Sequence, residues 1–156
     1  MDIVDQETRS RMMSRIGGKN TRPELVVRKL LHNAGLRFRL HVKKLPGKPD
    51  IVLARYKVAI FVNGCFWHAH HCSLFRIPST NRDFWHNKIE NNVQRDRTRI
   101  RQLMDGGWRV GIVWECSLRG RNRENFQALQ QVLLDWIKAG KEGLYQTTVK
   151  YTSDRG

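Results

Sequence analysis

The chain has 156 residues, of which 40% are hydrophobic and 28% charged. This excludes a fully disordered polypeptide and fits one domain that buries about 70% of the surface its unfolded form exposes. Twenty-nine Lys and Arg against 14 Asp and Glu give a formal charge of +15, which favours a polyanionic partner, and nucleic acid before a membrane surface because the basic residues run along the whole chain.

No apolar run approaches the ~20 residues that a transmembrane helix needs. Met1-Asp2-Ile3-Val4-Asp5 has no apolar stretch of the secretory kind. Three cysteines, Cys65, Cys72 and Cys116, are an odd number, so thiolates in a reducing cytoplasm are expected rather than a disulfide framework.

Residues 1–20 are polar and basic, and Gly17-Gly18 breaks any helix near their end. They read as an arm that orders on a partner, or as a frayed terminus. Thr21-Arg22-Pro23-Glu24 has the pattern of a capping box with Pro in the first turn. It predicts a helix with Leu25, Val26, Leu30 and Leu31 on the buried face and a stop at Gly35.

Leu36, Phe38 and Leu40 alternate with Arg37, Arg39 and His41, as in a strand. Leu45–Pro49 is a turn. Asp50–Ala54 and Val58–Val62 read as a hairpin of central strands, continuously apolar because both faces are covered. A long helix is predicted from about Thr80 to Gly106, with Phe84, Ile89, Val93, Ile100, Leu103 and Met104 as an interrupted apolar stripe. Trp108, Val110, Ile112 and Trp114 alternate as a strand reaching Cys116, and a last amphipathic helix uses Phe126, Leu129, Val132, Leu133, Trp136 and Ile137 and stops at Gly140. Residues 141–156 read as a polar tail. Strands flanked by helices give an α/β or α+β chain with one sheet, the folded domain spanning 21–140.

Residues 65–72 read Cys-Phe-Trp-His-Ala-His-His-Cys, so five of eight are Cys or His in a chain with only three Cys and six His. Zinc takes thiolate sulfur and imidazole nitrogen in a tetrahedron. Cys65, Cys72, a strand-end Cys116 and one of His68, His70 or His71 would close a structural site, with His70 best suited to a tight loop. Phe66 and Trp67, inside this loop, either stack on or wedge between bases or cap the zinc site. Trp85 is a weaker aromatic candidate of the same kind.

Asp50 opens an apolar strand, where a carboxylate can project past the sheet edge and hold Mg²⁺. Its alternative is a turn residue paired with Lys48. Glu24 can join it from the helix, or serve only the capping box.

Pro49-Asp50, Ile60-Phe61-Val62, Gly64-Cys65-Phe66-Trp67-His68 with His70 and Cys72, Phe84-Trp85, Asn92–Asp96, Gly107–Val110 and Val113–Cys116 together resemble the very-short-patch repair (Vsr) endonucleases. Arg9–Met13 fits as well, and the likeness runs in register from about residue 5 to 140. The resemblance implies a restriction-endonuclease-like fold, a central mixed sheet flanked by helices, with a bound zinc. It also implies a bacterial, monomeric, Mg²⁺-dependent enzyme that nicks double-stranded DNA 5′ to the thymine of a T·G mismatch, in contact with general mismatch-repair proteins.

By the same resemblance, Asp50 and the Val62 carbonyl would hold Mg²⁺, His68 would act near the attacking water, and Glu24 would support the site. Cys65, His70, Cys72 and Cys116 would hold Zn²⁺. Met13, Phe66, Trp67 and Trp85 would enter the duplex. The family pattern has Thr-His where this chain has Val62-Asn63. A carbonyl ligand survives the first change. Asn63 cannot carry a proton as a histidine can, and is expected to hydrogen-bond a phosphate or a water at the site. A non-catalytic zinc module for distorted DNA, and more remotely an RNA-binding protein, are the competing readings.

Overall fold

The computed structural model describes residues 21–65, 77–118, 123–140 and 143–147. Helix α1 (Arg22–Asn33) begins where the Thr21 hydroxyl accepts the Glu24 amide hydrogen at 3.4 Å, with Pro23 in the first turn. The cap satisfies a backbone donor that has no partner within the helix, and Pro has no donor to satisfy. Strands β1 (Arg39–Leu40) and β2 (Ile51–Leu53), a 3-10 turn at Ala54–Tyr56, and β3 (Val58–Asn63) follow. Helix α2 (Arg82–Asp105) then leads into β4 (Arg109–Trp114), a second 3-10 turn at Glu115–Leu118, helix α3 (Arg123–Ala139) and β5 (Leu144–Gln146).

The strands form one sheet in the order β1-β2-β3-β4-β5. β1, β2 and β3 pair antiparallel, whereas β3, β4 and β5 pair parallel. Each parallel pair needs a crossover, and α2 and α3 supply the two. Period-two alternation then sorts the helices between the faces. Ile60 and Val113 pack with Val27 and Leu31 of α1 and Leu133 and Ile137 of α3. Ala59, Val110 and Ile112 pack with Ile100 and Leu103 of α2 on the other face. All six residues of β4 are buried, as a parallel strand covered on both sides requires. Among the described residues, no helix is long and apolar enough to cross a membrane.

Two buried positions tie α3 to the sheet. Arg109 donates from its guanidinium to the carbonyls of Ile137, at 2.9 Å, and Trp136, and lies 4.7 Å from the Trp136 ring centroid. It thus serves helix-end carbonyls that lack partners within the helix. Burial lowers its pKa from the usual arginine value. Gly111 sits under the same ring: a Cβ there would lie 2.9 Å from Trp136 Cζ3. Gly111→Ala should therefore overpack the interface and cost about 1–3 kcal/mol. Thermal unfolding reads this as a fall of several degrees, and an unchanged midpoint would mean that the ring can swing aside.

The elements differ from the sequence expectation in particular places. Leu25 is 49% exposed, and the buried stripe of α1 is Glu24, Val27, Leu30 and Leu31. A carboxylate occupies a core-facing position that apolar patterning does not mark. β1 is only two residues long, because His41 adopts a left-handed backbone (φ 48°) that ends it. Phe84 and Met104, assigned to the apolar stripe of α2, are exposed. β5 lies within the segment read as a polar tail.

Candidate active site

Asp50 immediately precedes β2, and its Oδ2 accepts the Val62 amide hydrogen at 2.8 Å. That bond ties the carboxylate to the middle of the sheet, directly against the Val62 main chain. The antiparallel register, Leu40 with Ile51 and Arg39 with Val52, continues one step to set His41 opposite Asp50. The His41 amide donates to the Asp50 carbonyl at 3.0 Å. Gly47 (φ 78°) makes the intervening turn possible, because a Cβ there would be strained and would stand 3.1–3.2 Å from Phe61 and Arg99.

Glu24 approaches from the first turn of α1. It is 2% exposed, and its Oε1 lies 2.5 Å from His41 Nε2 and 2.7 Å from Arg28 Nη2. Burying a carboxylate without partners is costly, and these contacts offset that cost. Glu24, His41 and Asp50 each present one potential ligand atom, and the three atoms all lie within 4.8 Å of one another. Two carboxylates and an imidazole at strand ends can hold a divalent cation, the carboxylates suiting Mg²⁺ and the imidazole nitrogen a transition ion.

Asn63 ends β3 and is buried. Just beyond it, Cys65 is fully buried, and its Sγ accepts the Cys116 amide hydrogen at 3.4 Å. The parallel register, Asn63 with Trp114, brings the two chain segments out of the sheet side by side. Neither cysteine is in a disulfide. A buried cysteine sulfur held against the main chain of a second cysteine, and accepting its N–H, suits a thiolate metal site.

On the first turn of α2, Phe84 is 58% exposed and meets Trp85 edge-on at 5.3 Å. Lys88 Nζ lies 5.8 and 6.0 Å from the two ring centroids. An exposed Phe84 against a half-buried Trp85, with a cation beside both, is a suitable surface for bases and phosphates.

The structure therefore brings Asp50, Glu24 and Val62 together, and Cys65 with Cys116. Met13, Phe66, Trp67, His68, His70 and Cys72 lie outside the described residues. His41 was missed by sequence reasoning, which took it as one polar step of an alternating strand. The available signal was register: a strand ending near residue 40, a turn at 45–49 and a strand from Asp50 pair His41 with Asp50.

The family profile described as "DNA mismatch endonuclease Vsr" matches residues 1–74. The chain is 48% identical over 136 residues to DNA mismatch endonuclease Vsr of Escherichia coli K12, covering 87% of each. It is 48% identical over 117 residues to the type II nicking enzyme V.XorIIP of Xanthomonas oryzae pv. oryzae, covering 75% of this chain and 86% of that one. It is also 42% identical over 138 residues to the type II nicking enzyme V.NmeAIP of Neisseria meningitidis, covering 87% and 99%. With that extent of identity, and with carboxylates gathered at the strand ends of a mixed sheet, the chain belongs to the Vsr family of DNA mismatch endonucleases.

Proposed function

We propose that this chain is a restriction-endonuclease-like enzyme that nicks one strand of duplex DNA, 5′ to the thymine of a T·G mismatch, by Mg²⁺-dependent phosphodiester hydrolysis. The observation that carries this reading is the convergence of Glu24, His41 and Asp50 at the strand ends of a chain with charge +15. Asp50 and the Val62 carbonyl would hold Mg²⁺, with Glu24 in support. When bound there, the cation would supply charge neutralisation at the scissile phosphate and a water made more nucleophilic near neutral pH.

The protein groups do the remaining work. His68 takes the proton of the attacking water, as a group that titrates near neutrality is suited to do. Asn63 hydrogen-bonds a phosphate oxygen, since its amide does not exchange a proton in the working range. Lys and Arg side chains contact the DNA backbone and supply affinity without sequence information. Cys65, His70, Cys72 and Cys116 would hold a structural Zn²⁺, which would anchor the segment carrying Phe66, Trp67 and His68.

Phe66 and Trp67 form the mismatch wedge, aided by Met13 and Trp85. A T·G pair stacks less well than a normal pair, so opening the step beside it demands less of the few kcal/mol that unstacking costs. Trp67→Ala should lose discrimination between T·G and C·G duplexes by roughly tenfold or more, since stacking on one base contributes about 1–3 kcal/mol. Binding to both duplexes at one salt concentration reads this. Equal losses on the two would reduce Trp67 to a packing role against the zinc site.

The function itself is tested on a T·G duplex labelled on each strand in turn. A single cut 5′ to the mispaired thymine is expected, and cuts in both strands would overturn strand-specific nicking.

A further inference from the structure

We infer that His41 is a ligand of the active-site cation, so that this site binds manganese-class divalent ions more tightly than Mg²⁺. The inference rests on the proposed cation site at Asp50 and adds to it a nitrogen donor that the sequence expectation did not contain.

The geometry carries it. His41 is not a surface histidine that happens to lie near acids. Its backbone is locked to Asp50 by the N–H···O bond at 3.0 Å, and its left-handed conformation (φ 48°) turns the chain out of β1 at that position. Its ring then meets buried Glu24 at 2.5 Å, with Arg28 Nη2 3.4 Å from the same nitrogen. Its side chain is only 17% exposed. The ring is thus held where the two carboxylates converge, entering from just past β1 while Asp50 comes from just before β2 and Glu24 from α1.

The three ligand atoms already lie within 4.8 Å of one another. Donors around one six-coordinate ion of this size stand about 3 Å apart when adjacent and about 4.2 Å when opposite, so an ion enters when the contact of His41 Nε2 with Glu24 opens from 2.5 Å and the nitrogen lone pair turns to the ion.

The chemical consequence follows from donor softness. Mg²⁺ prefers oxygen and sheds water reluctantly, so an imidazole adds little to its affinity. Mn²⁺, and Co²⁺ more strongly, accept imidazole nitrogen readily. A carboxylate–carboxylate–imidazole set therefore separates these ions, whereas two carboxylates with a carbonyl would not.

The experiment uses the full zinc-loaded chain without DNA and Mn²⁺ as the probe. Electron paramagnetic resonance gives the bound fraction, competition with Mg²⁺ gives the preference, and pulsed spectra show whether a ¹⁴N nucleus is coupled to the ion. The test variant is His41→Asn, because Asn adopts a left-handed backbone with little strain. His41→Gln, which also retains a side-chain donor toward Glu24, is the second variant should the first prove unstable.

The expected result is a ¹⁴N coupling in the natural protein that disappears in either variant. Mn²⁺ affinity should fall by about tenfold or more, as loss of a ligand-shell group does, with Mg²⁺ affinity changed by no more than about threefold. Mn²⁺ binding that Asp50→Asn abolishes, but that shows no ¹⁴N coupling in the natural protein, would overturn His41 as a ligand and leave the cation site standing. Mn²⁺ binding unaffected by Asp50→Asn would instead remove the cation site, and this inference with it. A ¹⁴N coupling that persists in both His41 variants would assign the nitrogen to another histidine and overturn the inference.

Discussion

Asp50→Asn should reduce nicking of a T·G duplex by about two orders of magnitude or more while the protein stays folded. Groups that only support a metal ligand commonly cost 10–100-fold, so removing a direct charged ligand should reach at least the upper end of that range. The substitution isolates charge from structure. The bond from the Val62 amide to Asp50 Oδ2, at 2.8 Å, can be accepted equally well by an asparagine carbonyl. Two carboxylates within 4.8 Å repel each other when no cation lies between them. The variant's thermal midpoint without divalent ions should therefore be equal to or above that of the natural protein. Single-turnover nicking and a melting curve on the same sample check both halves. A variant that nicks at near the natural rate would take Asp50 out of the site.

Cys116→Ala should lose the zinc and much of the stability. Binding free energy at structural zinc sites is folding free energy, on the order of 10 kcal/mol in small zinc peptides, and an ordinary domain has only about 5–15 kcal/mol in total. A loss of even about 4 kcal/mol would lower the midpoint of a chain this size by on the order of 10 °C. Cys65 is fully buried, and its sulfur receives the Cys116 amide hydrogen at 3.4 Å. A zinc held there would join the exit of β3 to the exit of β4, and its loss should loosen the end of the sheet nearest Asn63. Metal analysis with thermal melting reads the outcome. One zinc per chain retained by the variant, with an unchanged midpoint, would contradict the ligand set.

The parts of the fold that the sequence made legible are those with long periodic stretches and strong punctuation. Gly106-Gly107 closes α2, Pro46-Gly47 marks the turn before β2, and continuous apolar runs mark β2 and β3 as central strands. β5 was hidden because it is three residues long, follows no alternating pattern and borrows its order from β4, to which it pairs in parallel. The buried face of α1 was displaced because Glu24 turns inward, and hydrophobic patterning is blind to a carboxylate that is held by Arg28 and His41.

The site was legible in the same uneven way. Asp50 is singled out because a lone acid opening an apolar strand is conspicuous in a basic chain, and Cys65 with Cys116 because thiols are scarce; the structure sets the first against Val62 and the other two against each other. His41 does not stand out by residue type or by spacing along the chain, since its place beside Asp50 follows only once the β1–β2 pairing is continued past Leu40.

The most direct test is nicking of two duplexes that differ only by T·G against C·G at one position, in Mg²⁺, after brief chelation, and after Mg²⁺ is restored. The account predicts a single nick in the thymine strand of the T·G duplex, suppressed by chelation and recovered with Mg²⁺, and an intact C·G duplex. Tight binding of the T·G duplex with no cleavage under any of these conditions, or equal cleavage of both duplexes, would contradict it.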